Sequence, residues 1–297
     1  MISSVGLLVV DLTLEVDHLP EPGESLEAGR LTRSLGGKAA NQVVAAARLG
    51  ATTSFIGTVG APDAHIDPLL ELHREGVDVR HAHRSDAENG LSVILLAPDG
   101  GQFIATYPGP GFRLDASSVQ RALAELETGI LLLQGETDWS AASQIAREFE
   151  GTVILDPSPV HAFLDSDLSF VDILTPNEGE AAALCGGGIP SAAEVRRRTG
   201  AACVLVTLGD RGVELSDREG SVRIPAPPAA VLDPTGAGDA FSGALAAALD
   251  SGASVREASA FAVEVAAISV SRMHCIPSYP SREELRQNPR LPLSLQL

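Results

Sequence analysis

Short, continuously apolar runs alternate along the chain with longer stretches whose apolar positions recur every three or four residues. Residues Gly6 to Val10 read as a buried strand ending at Asp11, and residues 52–59 read as another. Between them, residues 38–49 (KAANQVVAAARL) carry a helical pattern closed by Gly50. Asp67-Pro68 then offers an N-cap followed by proline at the first helical position. The middle of the chain repeats the theme. Strands are predicted at 130–134 (ILLLQ), 152–156 (TVILD), 171–175 (VDILT) and 202–207 (ACVLVT), separated by helical patterns near 115–127, 138–149 and 177–184. Strands with no polar alternation are buried on both faces. That predicts an α/β architecture: a mainly parallel central sheet with helices on both sides.

Two stretches break this rhythm. Residues 12–35 and 89–108 are rich in strand formers and turns but poor in helical pattern. In the second, Leu91–Ala97 and Gln102–Tyr107 flank Asp99-Gly100-Gly101, a hairpin signal. Both read as excursions that pair into a small β lid. A further hairpin is expected to join 213–216 to 221–225.

Composition narrows the function classes. The 297 residues are 44% hydrophobic, enough for one extended α/β domain or two small ones. A net charge of -18 repels phosphate backbones, so nucleic acid is not an expected partner. Any anionic ligand must be held by local devices. Cys185, Cys203 and Cys275 show no metal-like spacing and read as packing residues in a reducing cytoplasm. The histidines His65, His73, His81 and His83 lack coherent ligand spacing and read as surface residues. The first apolar run is broken at Asp11, and no run reaches the ~18 apolar residues that a membrane span needs.

The strongest local signal is Asp233-Pro234-Thr235-Gly236-Ala237-Gly238-Asp239-Ala240-Phe241, which runs into a small-residue helix predicted over 240–250. A glycine-rich loop entering a helix can aim several backbone N–H groups at one spot, beside the positive end of the helix dipole. Asp239 would set a carboxylate next to that anion hole, which is what group transfer to a hydroxyl requires. A glycine turn with a capping Asp explains the same residues, and both readings stand on the sequence alone. No G-x-x-x-x-G-K-[ST] occurs, nor a G-x-G-x-x-G after the first strand.

With Gly36-Gly37-Lys38-Ala39-Ala40-Asn41 at a helix start and DPTGAGDAFSG some 200 residues later, the chain resembles the ribokinase (PfkB-type) carbohydrate kinases over about residues 6 to 280. The resemblance implies a ribokinase-like three-layer fold, one domain over 1–297 with the β lid. It also implies ATP and Mg²⁺, a small sugar as acceptor, and a homodimer formed through the lid. By position, Asp239 matches the catalytic base, with Gly236, Ala237 and Gly238 as its anion hole. Asp11, Gly37, Lys38, Asn41 and Glu136 match acceptor contacts. Thr175-Pro176-Asn177-Glu178-Gly179-Glu180 resembles the family's N-x-x-E motif, which implies that Asn177 and Glu180 position Mg²⁺ through its waters. From the residues alone, the same pair reads equally as a helix cap and its capping box. Thr207, Gly209 and Gly212 match a nucleotide loop, and Asp233 and Thr235 a monovalent-cation loop.

Val9, Ala39, the 60–65 segment, Val263 and Arg272–Cys275 depart from the family pattern. In the last of these, Met273-His274-Cys275 lacks the family's glycine, so the loop is expected to take another path and K⁺ dependence to be weak. A nucleoside acceptor would suit Val9 and the altered 60–65 segment. A sugar phosphate would suit less well an acid-lined pocket that offers few cations beyond Lys38. A catalytically silent binding protein would have no use for an intact Asp239. The tail RLPLSLQL carries no assigned role.

Overall fold

In the computed structural model, residues 1–62, 65–98, 100–164 and 166–287 are described. Asp63 and Ala64 of the 60–65 segment, Asp99 of the hairpin signal, and the tail from residue 288 lie outside the described residues. In chain order the strands are β1 (Ile2–Val5), β2 (Val9–Glu15), β3 (Arg30–Gly36), β4 (Thr53–Ile56), β5 (Thr58–Val59), β6 (His83–Arg84), β7 (Leu91–Leu96), β8 (Gln102–Tyr107), β9 (Ile130–Gln134), β10 (Thr152–Asp156), β11 (Ile173–Leu174), β12 (Cys203–Thr207), β13 (Val213–Asp217) and β14 (Gly220–Ile224). The helices are α1 (Lys38–Arg48), α2 (Pro68–Arg74), α3 (Ala116–Glu125), α4 (Trp139–Glu148), α5 (Glu178–Leu184), α6 (Ala192–Thr199), α7 (Ala237–Asp250), α8 (Val255–Ser269) and α9 (Arg282–Arg286). None of these helices is long and apolar enough to cross a membrane.

The large sheet runs β14-β13-β12-β11-β10-β9-β1-β4. Its pairs are parallel from β4 to β12, and the β13–β14 hairpin adds an antiparallel edge. Side chains alternate across it as the pleat demands. Ile130 and Leu132 pack into the core formed with α1, α2, α7 and α8, while Leu131 and Leu133 pack into the core formed with α3 to α6. That double burial is why ILLLQ reads as an unbroken apolar run.

The first apolar run does not form one strand. β1 ends at Val5, and the chain leaves the large sheet at Gly6, where a Cβ would lie 2.8 Å from both the Ala39 Cβ and the Gln134 Oε1. From Val9 it joins a second, four-stranded sheet ordered β3-β2-β7-β8. Asp11 therefore lies within a strand of the small sheet, paired with Ser34 and Ser92, instead of ending a strand of the large one. Residues 52–59 divide in the same way at Gly57, whose Cβ would meet the Gly6 carbonyl oxygen at 2.5 Å. β7 and β8 pair from Leu91↔Tyr107 to Leu96↔Gln102. Cys203 and Cys275 are buried, and His65, His73 and His83 are exposed.

Helix α7 lies against α1 with almost no side-chain spacer. A Cβ on Gly243 would sit 2.4 Å from the Gln42 carbonyl oxygen and 2.6 Å from the Ala45 Cβ. This contact brings the first turns of the two helices together. Gly243→Ala should therefore force the helices apart and lower stability by about 1–3 kcal/mol. Thermal unfolding of parent and variant checks this, and an unchanged midpoint would show that the contact has slack.

Candidate active site

Helix α7 starts at Ala237, three residues before the small-residue run suggested, so Asp239 lies inside its first turn. Gly236 is the N-cap, at φ 78, in the left-handed region where a side chain is strained. A Cβ there would also meet the Tyr279 hydroxyl at 2.7 Å and the Cys275 Sγ at 2.8 Å. Tyr279 donates its hydroxyl to the Gly236 carbonyl at 3.3 Å and so holds the turn. Ala237 donates its N–H to the Pro234 carbonyl at 3.2 Å, which removes that amide from the expected anion hole. The amides of Gly238 and Asp239 follow at the helix's positive end, where an incoming anion is favoured.

Both Asp239 oxygens accept amide hydrogens. Asn41 Nδ2 donates to Oδ2 at 2.9 Å, and Gln42 Nε2 donates to Oδ1 at 3.0 Å. The same Gln42 nitrogen donates to Asp156 Oδ2 at 2.9 Å. Asn41, Gln42, Asp156 and Asp239 are all buried, and the Asn41 Oδ1 has no hydrogen-bond partner among the described residues. A buried carbonyl oxygen of this kind has unused acceptor capacity. The expected pairing of the two glycine motifs is thus a direct contact. Gln42 and Asp156 were not among the residues singled out from sequence. A glutamine on the buried face of an alanine-rich helix, and an aspartate closing TVILD, were the available signals.

A run of carboxylates continues from Asp239. Asp11 is pushed up to about 7, chiefly by burial, with the nearby charges of Glu136 and Asp239 adding to the rise and the hydrogen bond from Ser92 opposing it. Burial likewise raises Glu136, although Lys38 opposes the shift. One oxygen of Glu136 accepts the Lys38 backbone N–H at 2.8 Å, so Glu136 also caps α1 and keeps only part of its acceptor capacity for a ligand. Gly37, at φ 89, makes that entry possible, since a Cβ would strike the Leu7 carbonyl at 2.5 Å. Burial alone would push the Lys38 ammonium down. The charges of Asp239, Asp156, Glu136 and Glu180 outweigh that effect and hold it above its ordinary range.

On the other side of α7's first turn lies a cavity of about 550 Å³. Thr207, Gly209 and Gly212 line it with Ala237 and Gly238, so the expected nucleotide loop and the helix N-terminus open into one space. Its far wall is apolar, with Phe241, Val263, Ala266 and Val270. Gly209 at φ 61 and Gly212 at φ 88 both need the left-handed region, and a Cβ on Gly212 would meet the Ile224 carbonyl at 2.0 Å. Asn177 caps α5, and Glu180 completes its capping box with reciprocal bonds of 2.9 Å. Glu180 reaches the Asn177 N–H through Oε2 and leaves Oε1 for other use.

The 272–275 loop corrects the sequence reading. His274 takes φ 67 without being glycine, so the loop does curl there. Its N–H donates to Asp233 Oδ2 at 2.8 Å. Asp233 Oδ1 accepts from the Thr235 N–H at 2.9 Å and from Gln102 Nε2 at 3.1 Å, and Gln102 also donates to the Thr235 hydroxyl. Gln102 begins β8, so the small sheet is tied to the loop that opens α7. Sequence reasoning missed it because a polar residue beside a hairpin turn reads as solvated.

A carboxylate standing between a group of neighbouring acids and a helix N-terminus suits phosphoryl transfer to an alcohol. The chain belongs to the pfkB family of carbohydrate kinases, whose model matches residues 1–282. It is 34% identical over 291 residues to a ribokinase of Haemophilus influenzae, covering 94% of this chain and 95% of that protein. The solved ribokinase of Thermotoga maritima superposes with a TM-score of 0.89 at 34% identity, covering 96% of this chain and 98% of that one. The Arabidopsis thaliana ribokinase complexed with ribose and ATP superposes at 0.78 with 28% identity, covering 96% and 97%.

The raised Asp11 has a consequence for stability. The folded chain keeps its proton to about pH 7, whereas an ordinary carboxyl of this type releases it at 3.8. Between those values the folded state binds more protons, so this group's contribution to stability falls as pH rises. Asp11→Asn should match the parent near pH 4 and exceed it by roughly 1–3 kcal/mol near pH 8. Denaturant titrations at the two pH values check this, and equal stability differences at both would refute the buried-acid account.

Proposed function

We propose that this kinase moves the γ-phosphate of ATP to a hydroxyl of a small neutral sugar of the ribose type, with Asp239 as the general base. One observation carries the reading. Asp239 is buried in the first turn of α7, bonded to Asn41 on the acid-lined side, while the adjacent Gly238 lines the large cavity. The acceptor would lie against Asp11, Glu136 and Asn41. A carboxylate accepts from two hydroxyls at once, and the open Asn41 Oδ1 accepts from a third. The reacting hydroxyl gives its proton to Asp239 as its oxygen attacks phosphorus. Amides of α7's first turn stabilise charge on the transferring group.

The nucleotide occupies the cavity bounded by Thr207, Gly209 and Gly212. Bound Mg²⁺ would supply charge that offsets the phosphates, with Asn177 and Glu180 as the residues that would position it. Glu180 keeps one oxygen outside its capping box, which suits contact through a water better than a full ligand role for the pair. The small sheet would cover the acceptor. Its edge strand β8 exposes Phe103 and Tyr107, at 60% and 58%, and these support a homodimer formed through the lid. We place the enzyme in the cytoplasm, where ATP is available.

Asp239→Asn should leave folding and ATP binding intact and lower kcat by about 10²–10⁴. The test is ATP turnover across D-ribose, deoxyribose, other sugars, sugar phosphates and nucleosides, with parent and variant. Near-parental turnover by the variant rules out the base. Preference for a nucleoside over every free sugar rules out the acceptor class.

K⁺ should matter little, now for a different reason than the loop path. Gln102, Thr235 and His274 already bond the oxygens of Asp233 that a monovalent ion would use. Adding KCl against an organic-cation salt at equal ionic strength should leave the parent rate unchanged, and Gln102→Ala should make it K⁺-responsive. A many-fold K⁺-specific rise in the parent would show that Gln102 yields to the ion.

A further inference from the structure

Gln42 is fully buried, and the direction of its amide is set from behind. Its Oε1 accepts from Gln134 Nε2 at 2.8 Å, and the same Gln134 nitrogen donates to the Ser4 hydroxyl at 3.3 Å. Its Nε2 therefore faces Asp156 and Asp239. Turned over, it would set its oxygen against the Asp239 carboxylate and its nitrogen against the Gln134 donor, losing both bonds.

We propose that Gln42 is the positioning residue of the catalytic base: oriented by Gln134 and anchored on Asp156, its amide fixes Asp239 Oδ1 and so aims Oδ2 at the acceptor. The inference rests on the reading of Asp239 as the base. It assigns roles to Gln42, Gln134 and Asp156, none of which needs to touch a reactant.

The two oxygens of Asp239 are held from opposite sides. Asn41 holds Oδ2 and has its own oxygen open, so it can exchange partners when an acceptor arrives. Gln42 has both amide ends occupied inside the core and cannot. With one oxygen fixed, the carboxylate plane is fixed, and general-base transfer needs that alignment. Without the amide, the buried Asp156 and Asp239 would lose the donor they share. Burial already pushes Asp156 up to about 8, against the opposing Lys38 charge, with Asp239, Glu180 and Glu136 adding to the rise. The other groups facing Asp239 are Lys38 of α1, Asp11 of β2, Glu136 after β9, Cys275 and Tyr279. They are the same in every variant below.

The experiment measures kcat, KM and the pH profile of the full chain with ATP and D-ribose, or the best acceptor of the panel above. Gln42→Met has similar length and no donor. It should lower kcat by about 10–100-fold with little change in either KM, because misalignment acts on the reacting pair. Its acid limb should move to higher pH, since a carboxylate that loses an N–H donor holds its proton more tightly. Gln42→Glu is close to isosteric and can donate only when protonated. Its kcat should rise as pH falls, over the range where the parent's kcat falls. A parental kcat and acid limb in Gln42→Met, or a parent-shaped profile in Gln42→Glu, overturns the proposal. If Gln42→Met does not fold, Gln42→Glu decides alone. Asp239→Asn separates the two levels. Its retained turnover would refute the base itself, whereas its loss beside a parental Gln42→Met refutes only the positioning role.

Discussion

Burial forces Asp11, Glu136 and Asp156 into a region where each holds its proton above the usual range, and the Lys38 ammonium offsets them together with Asp239. An array of like charges away from water is unfavourable unless hydrogen bonds and a counter-charge compensate for it. Here the compensation comes largely from amides. Asn41 and Gln42 serve Asp239, Gln42 serves Asp156, and the Lys38 backbone N–H serves Glu136. All of these donors lie in the first turns of one helix, α1. The position of that helix is therefore the constraint on which the site's electrostatics depend.

That position is set by contacts that only small residues permit. Gly37 lets the chain turn into α1 beside Leu7, Gly6 lets it leave the large sheet beside Ala39, and Gly243 lets α7 lie on the Gln42 backbone. None of these glycines touches a ligand site through a side chain. Each sets how closely two backbones approach, and so how closely Asn41 and Gln42 approach Asp239. The small sheet adds a second constraint. It delivers Asp11 by pairing β2 with β3 and β7, and it bonds to the α7 loop through Gln102.

Much of this was legible in the chain because backbone requirements leave marks in sequence. The unbroken apolar runs marked the parallel sheet, and the first glycine motif marked the start of α1, whereas α7 begins three residues before the small-residue run suggested. Other features were not legible, for identifiable reasons. Gly6 to Val10 looked like a strand, but Gly6 to Leu8 is the link between β1 and β2, and Leu7 and Leu8 are buried there as strand residues would be. Helices α6 and α8 went unread although Ser191 with Glu194, and Ser254 with Glu257, form capping boxes at their starts. Gln134 and Asp156 close apolar strands and looked like boundaries, yet both are buried and bonded. His274 shows the limit of a propensity argument. Left-handed backbone is uncommon without glycine, but the bond from its N–H to Asp233 stabilises it there.

The same charge array bears on the kind of acceptor the cleft can hold. Lys38 faces Asp239, Asp156, Glu136 and Glu180, so its charge is already shared among carboxylates. A phosphorylated acceptor would bring a dianion into that field and find little cationic charge left to meet it. A neutral polyol brings hydroxyl donors instead, and carboxylates with open lone pairs are its natural partners. On the proposed reading, a polyol bound against Asp11 would present hydroxyl donors that favour the ionised carboxylate, so acceptor binding and Asp11 ionisation would be linked.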